Sequence, residues 1–294
     1  MLSVKDLTRV YGDRTVLDHV TFDVRPGRMT GFVGANGAGK TTTMRIIVGV
    51  LAATEGTVSW DGAEIDVARR RSMGYMPEER GLYPKMSPLD QLVFFGRLHG
   101  MTGSAAAVRA RMLLERLGLG ERLREPLEKL SLGNQQRVQI AAALVHQPTA
   151  LVLDEPFSGL DPLAVDTMVG LLRDEVSPEV PVLFSSHQLE LVERLCDDLV
   201  ILSGGSMVAA GTVEQLRGQQ DPRFRVVLAG DADAGWLRDV DGIDVLDATG
   251  SSALLSLGSR RSEDVLGEIV SRARVSEFSR VVRPLSEVYR EAVA

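Results

Sequence analysis

The sequence predicts an α/β fold: a P-loop nucleoside-triphosphatase core, interrupted by helices and followed by a small α/β accessory domain. Three observations predict it. Gly34-Ala35-Asn36-Gly37-Ala38-Gly39-Lys40-Thr41 fits G-x-x-x-x-G-K-[ST] and stands between a strand-like segment, Met29 to Val33, and a helical one, Thr41 to Val50. A second apolar run, Ala150 to Leu153, ends in Asp154-Glu155. Between the two, from about 88 to 145, the texture is helical.

Taken in order, the chain opens with strands. Leu2 to Leu7, Val16 to Val24 and Thr57 to Trp60 are rich in β-branched and apolar residues. They lie between turn signals at Tyr11-Gly12-Asp13, Pro26-Gly27 and Asp61-Gly62. Helices are expected from Pro88 to Gly100, then from a Ser104 cap through Val108, Met112, Leu113 and Leu117, then from Asn134 to Val145. Core texture returns at Ala150 to Leu153. Next come a helix (Pro162 to Val176), a strand (Val182 to Phe184), a helix (Gln188 to Leu195), and a hairpin turning at Gly204-Gly205 between Leu199 to Leu202 and Met207 to Ala210. The polar segment Gly218 to Pro222 marks a boundary between domains 1–217 and 218–294. The second domain carries strands at Phe224 to Leu228 and Ala253 to Leu257. Its helices are Glu263 to Arg274, with Val265, Leu266, Ile269, Val270 and Ala273 on one face, and Leu285 to Val293.

Composition bounds the function. The 294 residues carry a net charge of -7, which argues against a nucleic-acid-binding surface by bulk charge. Cys196 is the single cysteine, so no intramolecular disulfide or cysteine-rich metal site is possible, and its apolar neighbours Leu195 and Leu199 suggest a core position. The start of the chain lacks a signal-peptide layout. The longest apolar run, Ile46 to Ala53, falls short of the roughly 20 residues that span a bilayer. A cytoplasmic protein is expected, with any membrane role supplied by a partner.

The glycine-rich loop has a mechanical logic. Glycine lets the backbone curl until successive N–H groups point at phosphate oxygens, and the positive end of the following helix reinforces them. Lys40 is placed to reach the β- and γ-phosphates, and the Thr41 hydroxyl to ligate magnesium. Asp154, delivered by its strand to the same end of the sheet, is placed to orient the metal or its water shell. Glu155, one residue on, is placed to polarise an attacking water. His187 ends the next core strand, within reach of the γ-phosphate or that water. Ser131 and Gly133, just ahead of a helix, form either a second anion site or an ordinary N-cap. Asp161, in Ser158-Gly159-Leu160-Asp161, is either part of the site or only the cap of the next helix.

Together these segments resemble the ATP-binding subunit of an ABC transporter over residues 2 to 217. The resemblance implies an ABC-type core with a β-rich N-terminal part and an inserted helical subdomain. It implies that Tyr11 stacks on adenine, and that Gly34, Ala35, Asn36, Gly37, Ala38, Gly39, Lys40, Thr41 and Thr42 hold the phosphates of ATP. Thr41, Asp154 and Glu78 would serve Mg2+, and Glu155, His187 and Glu78 the hydrolytic step. It further implies that Ser131, Gly133, Asn134, Gln135 and Asp161 act across a head-to-tail dimer, closing over ATP bound by a second cassette.

Two departures qualify the resemblance. The usual Leu-Ser-Gly-Gly-Gln signature here reads Leu130-Ser131-Leu132-Gly133-Asn134. Glu78 stands where the family has glutamine after a Tyr-x-Pro turn, here Tyr75-Met76-Pro77. The run Tyr75 to Pro84, with a C-terminal extension, is similar to bacterial ATPases that pair with ABC-2 type membrane subunits, the group that includes sodium and drug or antibiotic exporters. The expected function is ATP hydrolysis powering export through a separately encoded permease, at the inner face of the membrane, with two copies of this chain as the expected pair of cassettes. The competing readings are a soluble ABC-type ATPase acting on ribosomes or DNA, disfavoured by the single cassette and the lack of a basic linker or long coiled coil, and the ATPase of an uptake system.

Overall fold

The structure, a computed structural model, describes residues 1–79, 81–218, 222–230, 232–281 and 284–293. Arg80 and the central residues of the expected boundary segment, Gln219 to Asp221, lie outside the described residues. The chain divides into two compact units, Met1–Val213 and Glu214–Ala292.

The first unit opens with a hairpin of β1 (Leu2–Tyr11) and β2 (Arg14–Val24), then β3 (Met29–Val33) and α1 (Lys40–Ile47). β4 (Glu55–Trp60) and the short β5 (Ala63–Glu64) complete an antiparallel sheet in the order β2-β1-β4-β5. Both strands of the hairpin run further than their apolar cores suggest. The register shifts around Leu7 and Arg9 accompany left-handed backbone at Asp6 (φ 48°) and His19 (φ 50°), which bends the ladder. The inner face (Leu2, Val4, Leu7, Leu17, Val20, Phe22, Val24) packs with Phe32, Met44 and Ile47 into one core, Phe22 and Phe32 meeting at 5.1 Å between ring centroids.

α2 (Val67–Arg71) and β6 (Met73–Met76) follow. Neither is evident in the sequence, and Tyr75 and Met76, expected in a turn, are the end of this strand. The helical insert comprises α3 (Pro88–Leu98), α4 (Gly103–Arg116) and α5 (Leu132–Leu144). Thr102, not Ser104, caps α4, its side chain accepting from the Ala105 N–H at 3.2 Å. The buried stripe of α4 is Ala106, Ala110, Leu113, Leu114 and Leu117, while Val108 is solvent-exposed.

β7 (Ala150–Leu153), α6 (Pro162–Glu175), β8 (Val182–Ser186), α7 (Leu189–Leu195), β9 (Asp198–Ser203) and β10 (Ser206–Thr212) finish the core. The central sheet has the order β10-β9-β3-β8-β7-β6, parallel except for the terminal β10 hairpin. Strands buried on both faces read as continuous apolar runs, which is why β7, β8 and β9 stand out in the sequence. Asp198 pairs with Arg25 and Arg28 at the opposite end of this sheet. Though burial pushes its carboxyl the other way, hydrogen bonds from Arg28 and Arg25 hold it below the usual carboxylate range. Cys196, at the end of α7, is half-buried beside Gly31, and its thiol is pushed up by burial. Arg109 of α4 meets the nearly buried Glu175 of α6 at 2.6 Å, tying the insert to the core.

α8 (Val213–Gly218) spans the division between the units. The second unit contains β11 (Arg223–Leu228), a 3-10 turn (Ala234–Asp239), β12 (Asp244–Thr249), β13 (Ser252–Ser256), α9 (Ser262–Arg272), β14 (Val275–Val281) and α10 (Leu285–Val293). Its sheet is antiparallel, in the order β12-β13-β11-β14, the split β-α-β arrangement. Its core joins Val226, Leu228, Leu237, Ala253, Leu255, Val265 and Ile269. Val270, expected on the buried face of α9, is exposed.

Candidate nucleotide-binding and hydrolysis site

The C-terminal ends of β3, β7 and β8 lie side by side, the crevice where parallel α/β sheets place their ligands. β3 runs into the glycine loop, β7 into Asp154-Glu155 and β8 into His187, so three segments separated in sequence meet at one edge.

Two glycines of the loop sit where a side chain would clash. Gly39 has φ 106°, and a Cβ there would come within 2.4 Å of Leu17 Cδ2. A Cβ on Gly34 would meet the Leu202 carbonyl oxygen at 2.7 Å. Gly39 supplies no side-chain cap to α1, leaving the first N–H groups of that helix for an anion. Lys40, almost buried, folds back so that Nζ donates to the carbonyls of Gly34 (2.7 Å) and Ala35 (3.3 Å). Ala38 is buried in the curl, its N–H donating to the Ala35 carbonyl at 3.1 Å.

β6 pairs with β7 in parallel, Met76 opposite Leu153, and thereby carries Pro77-Glu78 to the edge beside Asp154. Thr41 Oγ1 lies 3.5 Å from Glu78 Oε2. Asp154 is fully buried: its Oδ1 accepts from Ser185 Oγ at 2.6 Å, while its Oδ2 has no partner. Ser185 Oγ also accepts from the Glu155 N–H at 2.8 Å, so one hydroxyl sets both acidic residues. Tyr75, half-buried nearby, has its hydroxyl pushed up by burial and next by the Asp154 charge, which keeps the phenol neutral.

Glu155 has left-handed backbone (φ 51°) and a side chain that meets His187 Nδ1 at 3.0 Å through Oε2. A cavity of about 540 Å³ opens in front of these groups, lined by Asn36, Gly37, Gly39, Lys40, Thr41 and Thr42 at one end and by Glu78, Asp154 and Glu155 beside them. Tyr11 and Arg14, opposite each other in the β1–β2 hairpin, form its rim. The Arg9 guanidinium lies 4.3 Å from the Tyr11 ring centroid, a cation–π contact on one ring face.

Other sequence candidates stand outside this cavity. Ser131 caps α5, accepting from the Asn134 N–H at 3.4 Å, with Gly133 next to Leu160. The Gln135 amide donates to the carbonyls of Leu127 (3.2 Å) and Leu130 (2.9 Å). Asp161 caps α6, Oδ1 accepting from the Ala164 N–H at 2.9 Å. Ser131 is solvent-exposed, as are Leu132 and Leu163 near these caps.

Sequence reasoning missed Ser185, Gln136 and Gln139, and also Arg9 and Arg14. A signal exists for the first three: a hydroxyl in a strand buried on both faces, or an amide on a helix otherwise apolar, must find a polar partner.

The arrangement suits a polyphosphate. Loop N–H groups and Lys40 could neutralise phosphate oxygens, the Tyr11 ring offers a face to a base, and Glu155, in contact with His187, is a carboxylate that could accept a proton from water. The unpartnered Asp154 Oδ2, the Thr41 hydroxyl and Glu78 form a hard oxygen set that fits Mg2+. Among the described residues no group of three or more His, Cys, Asp or Glu side chains could hold a metal alone, so such an ion needs phosphate oxygens as well.

Residues 17–158 match the family described as ABC transporter. Over 100% of its length the chain is 36% identical to the uncharacterized ABC transporter ATP-binding protein YhaQ of Bacillus subtilis, covering 98% of it. It is 37% identical over 74% of its length to the Nod factor export ATP-binding protein I of Ralstonia nicotianae, covering 68% of that protein. A solved structure described as an ATP binding subunit of an ABC transporter superposes with a TM-score of 0.69 at 35% identity, over 74% of this chain and 92% of that one.

Proposed function

The chain belongs to the ABC transporter ATP-binding family, and from that premise we propose that it hydrolyses ATP to drive export through a separately encoded ABC-2 type membrane subunit. ATP hydrolysis is the activity of the family. No helix among the described residues is long and apolar enough to cross a membrane, and in this reading a partner supplies the transport path. Similarity to a Nod factor export ATP-binding protein supports the direction, and the proposed location is peripheral, at the cytoplasmic face of the partner.

One observation carries the hydrolytic assignment: Asp154 Oδ2, buried and without a partner, stands beside Glu155, which is held by His187, at the mouth of the phosphate loop. In this reading Tyr11 receives the base, Gly34 to Thr42 receive the phosphates, and Lys40 releases the Gly34 and Ala35 carbonyls to contact the β/γ-phosphates. Thr41, Asp154 and Glu78 would hold Mg2+, which withdraws negative charge from the phosphate oxygens when bound. Glu155 orients the attacking water and receives its proton, and His187 fixes the glutamate carboxylate.

Ser131, Gly133, Asn134, Gln135 and Asp161 are proposed to act on ATP held by a second copy of the chain, since their exposed caps stand away from their own cavity. Glu155→Gln is expected to retain ATP affinity, to lower turnover by roughly 10²–10⁴-fold, and to accumulate as an ATP-bound dimer in size-exclusion chromatography. Adding Ser131→Arg is expected to abolish that dimer. Wild-type turnover in Glu155→Gln would remove the catalytic assignment. For the export reading, a neighbouring gene is expected to encode a protein with about six apolar segments of roughly 20 residues, and co-expression with it is expected to yield a complex whose ATPase rate responds to substrate.

A further inference from the structure

α5 carries two buried glutamines one turn apart, Gln136 and Gln139, on a helix whose other inward positions are Val138, Ile140, Ala141, Ala143 and Leu144. Gln136 Nε2 donates to the carbonyls of Glu155 (3.1 Å) and Pro156 (3.0 Å). Gln139 Nε2 donates to the carbonyls of Pro77 (3.0 Å) and Glu79 (3.4 Å), the two residues that flank Glu78. Spacing of three residues puts both amides on one helix face. A single helix therefore grips both loops that bring carboxylates to the cavity.

We infer that Gln136 and Gln139 are positioning residues, Gln136 for Glu155 and Gln139 for Glu78, and that α5 is the rigid support through which the two carboxylates keep a common geometry. The inference rests on the reading of the cavity as the nucleotide site. The backbone at Glu155 is left-handed and needs support on both sides: Ser185 Oγ accepts from its N–H, and Gln136 donates to its carbonyl. Glu78 lies in a loop beyond an edge strand, where the sheet ladder ends at Met76, and the Gln139 amide takes over on either side of it. The same helix begins at the Ser131 cap, so a displacement of that cap moves both loops together.

The two residues are expected to fail differently, which a purely structural role would not produce. The test uses the full chain with Gln136→Met and Gln139→Met, steady-state turnover, thermal melting, and binding of a fluorescent ATP analogue with Mg2+ and with EDTA. Gln136→Met is expected to lower kcat by about 10²-fold, with analogue affinity within about threefold of wild type. In a Glu155→Gln background it is expected to add no further loss, because the group that it positions is already disabled. Gln139→Met is expected to lower the Mg2+-dependent gain in affinity, the ratio of the two Kd values, by about 10-fold while leaving the EDTA value unchanged. Gln136→Glu and Gln139→Glu, which keep the size but replace the donor with an acceptor, repeat the test if the Met variants misfold. Wild-type values, additive loss in the Glu155→Gln background, or the same loss of every quantity in both variants would overturn the inference. Failure of the wild-type chain to bind the analogue at all would instead overturn the site reading.

Discussion

His187 Nδ1 lies 3.0 Å from Glu155 Oε2, across the ends of two adjacent parallel strands. A carboxylate only accepts, so Nδ1 carries the proton and the contact fixes both the tautomer and the carboxylate rotamer. His187→Ala is expected to lower turnover by about 10²-fold and to leave ATP affinity unchanged, since the histidine does not line the nucleotide cavity. Single-turnover hydrolysis with parallel binding measurements checks this. A loss of affinity equal to the loss of turnover would move His187 into the binding set.

Lys40 is held by two carbonyls of its own loop, Gly34 and Ala35, and in the proposed binding mode it would exchange these contacts for phosphate oxygens. Lys40→Ala removes a charge-assisted hydrogen bond worth about 1.5–3 kcal/mol, a factor of about 10 to 100 in ATP affinity. Calorimetry should show that loss, with an unchanged melting temperature showing that the variant stays folded. Equal affinity in mutant and wild type would sink the assignment.

Glu78 meets Thr41 at 3.5 Å and brings a charge where the family usually has an amide. Glu78→Gln keeps an acceptor at the same reach, so basal turnover is expected to stay within about tenfold of wild type. Its larger effect is expected on turnover coupled to the membrane subunit. Complete loss of basal turnover in the isolated chain would show that the charge itself is required.

His146 stacks on His99 with ring centroids 3.7 Å apart and planes at 12°, and its Nε2 meets the Met73 carbonyl at 3.2 Å. Burial first, and the neighbouring His99 second, lower its pKa from 6.5 to about 4. The unfolded chain thus takes up this proton before the native one does. The stability associated with neutral His146 is fully present above pH 6.5 and is lost as pH falls from there through about 4. Melting temperatures of His146→Phe are expected to fall less steeply than wild type between those limits, and parallel curves would refute the linkage.

The phosphate loop, Asp154-Glu155 and His187 were legible because each is a short local pattern at the end of an apolar strand. The amide grips of Gln136 and Gln139 were not, because their partners lie 19 to 62 residues away and only the fold brings them together. α4 shows a different limit. The first turns of its buried face rest on Ala106 and Ala110, whose weak hydrophobic signal lost to the exposed Val108, while Leu113 and Leu117 further along were legible. β6, β12 and β14 were missed for another reason: they stand at sheet edges, half-exposed or short, where tertiary pairing and not composition makes the strand. Tyr75 and Met76 in particular belong to a strand only because β7 lies alongside.

The left-handed backbone at Glu155 has an evolutionary consequence. A non-glycine residue pays about 1–2 kcal/mol to sit there, and asparagine or glycine would sit there more comfortably. Selection for heat tolerance alone would therefore favour replacing this glutamate, and the proposed catalytic role is what would oppose it. Laboratory evolution of a sturdier variant, run without an activity screen, should accept replacements at this residue and return chains that survive heating but turn over roughly 10²–10⁴-fold more slowly.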